Sequence, residues 1–200
     1  MNEGKYSAIV LAGGRSSRMG KPKSELRFGS RTMLDRILTE MARVFEEVIV
    51  ATASARESER AKIIIDPEPY HGPVFAMERA LGEVSFDRAF VCSCDVPFVN
   101  GDLALTLCGM LGDYDAVIPL VDGKLQTLHA VYRKECAKVL ATMRGKDEHR
   151  LHEIVNFAKV KIIPEAEIRA LDPDLTSFFN VNTPEDYQRA LQLRNDEYKK

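Results

Sequence analysis

The sequence predicts an α/β fold, a single three-layer domain over residues 1–200 built on a mostly parallel sheet. Three observations carry that expectation. Short apolar, β-branched runs alternate with stretches of helical periodicity along the chain. The runs are continuous rather than interleaved with polar residues, the pattern of strands covered on both faces. Two hundred residues with 45% apolar content suffice for one well-buried core and fall short of what two independent domains usually need.

The elements follow in order. Residues 8–11 form an apolar run ending in Gly13-Gly14, the first strand. Met33, Leu34, Ile37, Leu38, Met41 and Val44 recur at helical spacing over residues 32–45. Residues 48–51 are β-branched and strand-like, followed by a charged helical stretch over 56–62. A third strand, 63–65, closes in Asp66-Pro67, and Pro73 suits the first turn of a helix running to about 81. The fourth strand, 89–94, ends in Asp95-Val96-Pro97. A helix over 102–111 and strands at 116–120 and 128–132 come next, with Asp122-Gly123 marking a hairpin or tight connection. The remainder reads as helices near 135–143 and 148–157, a strand at 160–163, and a last helix from 184 to about 193.

Composition narrows the function. A net charge of −2 gives no overall basic footprint, which argues against a dedicated nucleic-acid binder, although a local loop can still hold anions. No apolar run reaches membrane-spanning length and the N-terminal residues carry no signal-like apolar stretch, so no membrane association and a cytoplasmic location are expected. Cys92 and Cys94 lie two apart, the wrong spacing for a Cys-x-x-Cys metal or redox pair. With Cys108 and Cys136 they read as buried, reduced thiols.

In open parallel sheets, ligands sit at the carboxyl ends of the strands. Here the first strand runs into Leu11-Ala12-Gly13-Gly14-Arg15-Ser16-Ser17-Arg18-Met19-Gly20-Lys21-Pro22-Lys23. Its glycines let the backbone approach a ligand, and four cations stand there with no acid to cancel them. That is triphosphate chemistry, on neither a Walker loop nor a Gly-x-Gly-x-x-Gly turn. Asp95 projects from the fourth strand into the same cleft, where a bound triphosphate calls for Mg²⁺ on its oxygens. The alternative is that Asp95 caps the turn before Pro97, and Asp66 the turn after the third strand.

Phe179-Asn180-Val181-Asn182-Thr183-Pro184-Glu185-Asp186 reads locally as a strand entering a helix, with Thr183 as N-cap and acids in the first turn. Capping leaves the two alternating asparagines, Asn180 and Asn182, unexplained; they offer amides to a polar ligand or serve a structural turn. His149 and His152 have helical spacing but no third ligand follows, so they read as surface residues.

The opening Leu-Ala-Gly-Gly, Arg18-Met19-Gly20 and Lys23 resemble the nucleotidyltransferase superfamily of GT-A-like, Rossmann-like fold, and more narrowly the molybdenum cofactor guanylyltransferases. Cys94-Asp95-Val96-Pro97, Gln126 to Tyr132 and Asn180-Val181-Asn182-Thr183-Pro184-Glu185 follow in family order. The resemblance implies that Leu11, Ala12, Gly13 and Gly14 hold the nucleotide, that Asp66 contacts it, and that Lys23 and Arg18 meet its phosphates. Lys21 is the rival lysine. It implies Mg²⁺ on Asp95, acceptor binding at Asn180 and Asn182, and transfer of GMP from GTP to the terminal phosphate of molybdopterin. It further implies a molybdenum-insertion enzyme and molybdoenzyme apoproteins as partners. The competing readings are a cytidylyltransferase acting on molybdopterin or a sugar or alcohol phosphate, and a nucleotide-binding protein without catalysis.

Overall fold

The structure is a computed structural model describing residues 4–13, 23–53, 57–66 and 71–197. The chain opens with β1 (Ser7–Leu11), buried at every position. A short hairpin, β2 (Arg27–Phe28) and β3 (Arg31–Thr32), then leads into α1 (Met33–Val44). The start of α1 is set by Thr32, whose hydroxyl accepts from the Asp35 amide while Asp35 reaches back to the Thr32 N–H. Such a reciprocal cap satisfies two of the amides a helix start leaves open. Its apolar stripe, Met33, Leu34, Ile37, Leu38 and Met41, is buried, as the spacing predicts.

β4 (Glu47–Thr52) and β5 (Lys62–Ile65) come next. The helix expected over 56–62 is absent from its described part, where residues 57–61 are bends and coil before β5 starts at Lys62. The stretch is charged on all sides with only Ala61 to bury, and Ser58 Oγ takes the Arg60 N–H in a local turn instead. α2 (Pro73–Gly82) starts at Pro73, behind Gly72 at φ 98°, a left-handed position that glycine occupies without strain.

The second half supplies β6 (Arg88–Ser93), α3 (Gly101–Gly109), β7 (Ala116–Val121), β8 (Lys124–Leu125), β9 (His129–Arg133), α4 (Cys136–Gly145), β10 (Val160–Ile163), α5 (Glu165–Arg169) and α6 (Pro184–Glu197). The β7–β8 hairpin turns on Asp122 and Gly123, both at positive φ, the twist that two-residue hairpins need. The helix expected near 148–157 is a 3₁₀ stretch over Leu151–Asn156. Residues 179–182, expected to form a strand, join no sheet.

Among the described residues the main sheet has eight strands in the order β10-β7-β9-β6-β1-β4-β5, with β8 on β7. All its neighbours are parallel except β9, which runs antiparallel to β6 and β7, and β8. Alternate residues divide between two cores. Ala8, Val10, Val48, Val50, Phe90 and Cys92 pack with α1 and α3, and Ile9, Ile49, Val91 and Ala130 pack with α2 and α4. This is the expected three-layer, mostly parallel α/β arrangement. A third, smaller cluster of Phe28, Met33, Phe98, Val181 and Ala190 seats α6 against the β2–β3 hairpin. The four cysteines are buried thiols, and burial raises Cys92 and pushes Cys108 up to about 12.

Candidate active site

The strand order changes direction at β1, whose two neighbours are β4 and β6. Connections leaving β1 and β6 therefore diverge and open a crevice at the carboxyl ends of these strands. The Cys94 amide donates to the Leu11 carbonyl (2.9 Å) and the Ala12 amide to the Ala51 carbonyl (2.7 Å), which sets the start of the first loop beside Asp95. Leu11 turns its side chain into the core. Ala12 and Gly13 are half-buried, and a Cβ on Gly13 would meet only Ala53 N at an ordinary 3.8 Å. Gly14, Arg18 and Lys21 of the expected loop lie outside the described residues.

Beyond β6 the chain makes a turn closed by Val99 N–H to Val96 O (3.1 Å), with Pro97 in the second position that its fixed φ suits. Asp95 precedes this turn. The Ser93 hydroxyl donates to Asp95 Oδ1, and Lys23 Nζ donates to Asp95 Oδ2 at 3.0 Å. Lys23 stands at the head of a 3₁₀ turn, Lys23–Glu25, and both partners are largely shielded, their side chains 18% and 19% exposed. The same ammonium donates to Asn182 Oδ1 at 2.7 Å. Three residues expected separately to serve phosphate, metal and acceptor thus meet at one nitrogen atom.

Asn182 is held from behind. Its amide and that of Thr183 donate to Asp186 Oδ2 (3.0 and 2.9 Å), and the Asp186 amide donates to Thr183 Oγ1 (3.1 Å). The Asn182 amide chiefly, with nearby Lys23 adding, holds the Asp186 carboxyl below its usual range. The Val181 amide donates to the Asp95 carbonyl (2.8 Å), tying this segment to β6. Asn180 spends its amide on the Phe178 carbonyl (2.9 Å). Both asparagines border a cavity of about 240 Å³ lined also by Ser93, Asp95, Gln126, Leu128, His129 and Phe178. A larger open groove of about 870 Å³, edged by Phe28, Arg36 and Phe98, shares no lining residue with it.

Asp66 does not join the cluster. It follows β5, three strands from β6, roughly 14 Å away at ordinary strand spacing, and its amide donates to Thr52 O (2.8 Å). His149 and His152 are about half exposed and lean on different carboxylates, Asp147 and Glu153. Sequence reasoning missed Ser93, whose only signal was its place two residues before Asp95, and missed the cavity wall of Gln126, His129 and Phe178, which topology alone assembles.

As a metal site, the donor set is one carboxylate, and no group of three or more His, Cys, Asp or Glu residues is clustered among the described residues. That suits Mg²⁺ arriving with a triphosphate, since Mg²⁺ takes one or two carboxylates and fills its shell with phosphate oxygens and water. It does not suit a cation held by protein alone.

The family model of the MobA-like NTP transferase domain matches residues 8–161. A probable molybdenum cofactor guanylyltransferase of Methanosarcina acetivorans is 33% identical, over 92% of this chain and 89% of its own. The molybdenum cofactor guanylyltransferase of Desulfosudis oleivorans is 29% identical, over 92% and 93%. Among solved structures, molybdopterin-guanine dinucleotide biosynthesis protein A from Archaeoglobus fulgidus superposes with a TM-score of 0.81 at 25% identity, over 95% of this chain and 99% of that one. The 2-C-methyl-D-erythritol 4-phosphate cytidylyltransferase of Thermus thermophilus shares the fold, with a TM-score of 0.68 at 18% identity over 94% and 98%. The chain belongs to the MobA-like NTP transferase family, among the molybdenum cofactor guanylyltransferases, and is a nucleotidyltransferase.

Proposed function

We propose that this chain transfers GMP from GTP to the terminal phosphate of molybdopterin, forming the guanine dinucleotide cofactor and pyrophosphate. The observation that carries this reading is the bridge of Lys23 Nζ between Asp95 and Asn182. It joins the side expected to hold phosphates to the side expected to hold the acceptor. The names of the relatives in Methanosarcina and Desulfosudis supply the nucleotide and the cofactor.

A phosphate oxygen of the acceptor attacks the α-phosphorus of GTP; the bond to the β-phosphate oxygen breaks and pyrophosphate leaves with the electron pair. The nucleophile is already ionised near neutral pH, so the site needs no general base. Catalysis is positioning and charge stabilisation. Lys23, with Arg18, binds the phosphates, while the backbone of Leu11 to Gly14 and the Asp66 carboxylate hold the nucleoside end. Asn180 and Asn182 orient the acceptor. Asp95, fixed by Ser93, would hold Mg²⁺, which when bound offsets charge on the departing pyrophosphate. Lys23 then exchanges the Asp95 carboxylate for phosphate oxygens as the nucleotide enters. Release of so labile a product favours direct hand-off to a molybdenum-insertion enzyme or recipient apoproteins.

The test is pyrophosphate release with GTP, CTP, ATP and UTP, each with and without molybdopterin, in Mg²⁺ buffer. GTP with molybdopterin is expected to give the only rapid release. Preference for CTP, or release independent of molybdopterin, overturns the reading.

A further inference from the structure

His129 is among the residues that line the cavity beside Asp95. It is the first residue of β9, is 2% exposed, and among the described residues neither Nδ1 nor Nε2, both closed to solvent, has a hydrogen-bond partner. Its ring lies 4.3 Å from Phe178 and meets Phe90 edge-on at 5.2 Å. A phenylalanine would fill such surroundings without stranding a polar atom, whereas native proteins pair nearly all their buried polar groups. The imidazole is therefore a liability to the free fold. Burial drives its pKa down to about 4, against the pull of Asp172, so the ring is neutral and offers one N–H donor and one nitrogen acceptor.

A neutral ring is a poor phosphate ligand and a good match for the edge of a heterocycle. The same cavity is lined by Gln126, Asn180 and Asn182, which carry amides, and by the flat face of Phe178. We propose that His129 is a specificity-determining residue of the acceptor subsite: as the acceptor seats, a turn of the ring brings a nitrogen, closed to solvent in the free fold, onto the polar edge of the acceptor's heterocycle while Phe178 walls its face. This rests on the reading above that the acceptor enters beside Asn180 and Asn182.

The experiment compares wild type, His129→Phe and His129→Gln in steady-state transfer, with thermal unfolding and ¹⁵N-histidine NMR on the wild type titrated with a pterin monophosphate. His129→Phe is expected to raise KM for molybdopterin by about tenfold, the scale of one lost hydrogen bond, with KM for GTP unchanged. Its melting temperature is expected to rise, and His129→Gln, which keeps a donor and an acceptor, recovers part of the affinity. In the titration the ring nitrogens of His129 shift. A stabilised His129→Phe with unchanged acceptor KM overturns the proposal and leaves a buried water as the histidine's partner. Should His129→Phe fail to fold, the glutamine variant and the titration decide: normal acceptor KM and unmoved nitrogens overturn it. If wild type transfers nothing to molybdopterin, the functional reading falls, while nitrogens that shift with the pterin still support the histidine's role.

Discussion

Lys23 contacts residues 72 and 159 positions further along the chain, and the site is built around that one ammonium group. Lys23→Ala and Asp95→Asn are each expected to lower kcat/KM by about 10²–10³, the usual cost of removing one transition-state charge contact. A partly exposed ion pair adds about 1 kcal/mol or less to stability, so calorimetry of both variants is expected to show melting within about 4 °C of wild type. His129 carries a pH signature of its own. Its folded pKa lies near 4, below the ordinary 6.5, so the unfolded chain takes up a proton that the folded chain refuses. Stability therefore falls as pH drops from about 6.5 to 4, and urea titrations of His129→Phe over that window are expected to show a shallower fall than wild type. Lys23 and Asp95 were legible because each ends a signal, the basic loop and an apolar strand. His129 was not, because a histidine inside the apolar run Leu128 to Tyr132 looks like any strand residue until the fold strips it of partners.

Elements hold these residues in place through their ends. Thr183 and Asp186 cap α6 and fix the Asn182 amide at the same time. Thr183→Ala is expected to cost about 1 kcal/mol, or 2–4 °C in melting, together with a rise in KM for the acceptor but not for GTP. α3 starts at Gly101, where a Cβ would meet Val44 Cγ2 at 2.8 Å and Glu40 Oε1 at 2.9 Å. Gly101→Ala overpacks the α1–α3 contact and is expected to destabilise the fold by about 1–3 kcal/mol in urea unfolding. The cap at Thr183 and the start of α2 at Pro73 were readable because local chemistry dictates them. The absent helix before β5 was misread because charge density suggested a surface helix, and a helix without an apolar stripe has nothing to hold it. The short β2–β3 hairpin escaped notice because two-residue strands leave no periodicity.

At the scale of the whole molecule, the parallel order around β1 puts the first loop and Asp95 at one switch point. The alternation of apolar runs and helices made that sheet readable, yet it concealed the antiparallel β9, since strands buried on both faces look alike in either direction. Ligand linkage makes the site measurable through global stability. Saturation at a hundred times Kd is worth about 2.7 kcal/mol, so Mg²⁺·GTP is expected to raise the melting temperature by about 5–10 °C, a shift that Lys23→Ala largely removes. The most direct measurement is pyrophosphate release from Mg²⁺·GTP and molybdopterin by the wild type beside Lys23→Ala and Asp95→Asn. Rapid release by wild type, dependent on molybdopterin and lost in both variants, is the expected result. Equal release by all three proteins, or none by wild type with GTP, contradicts the account.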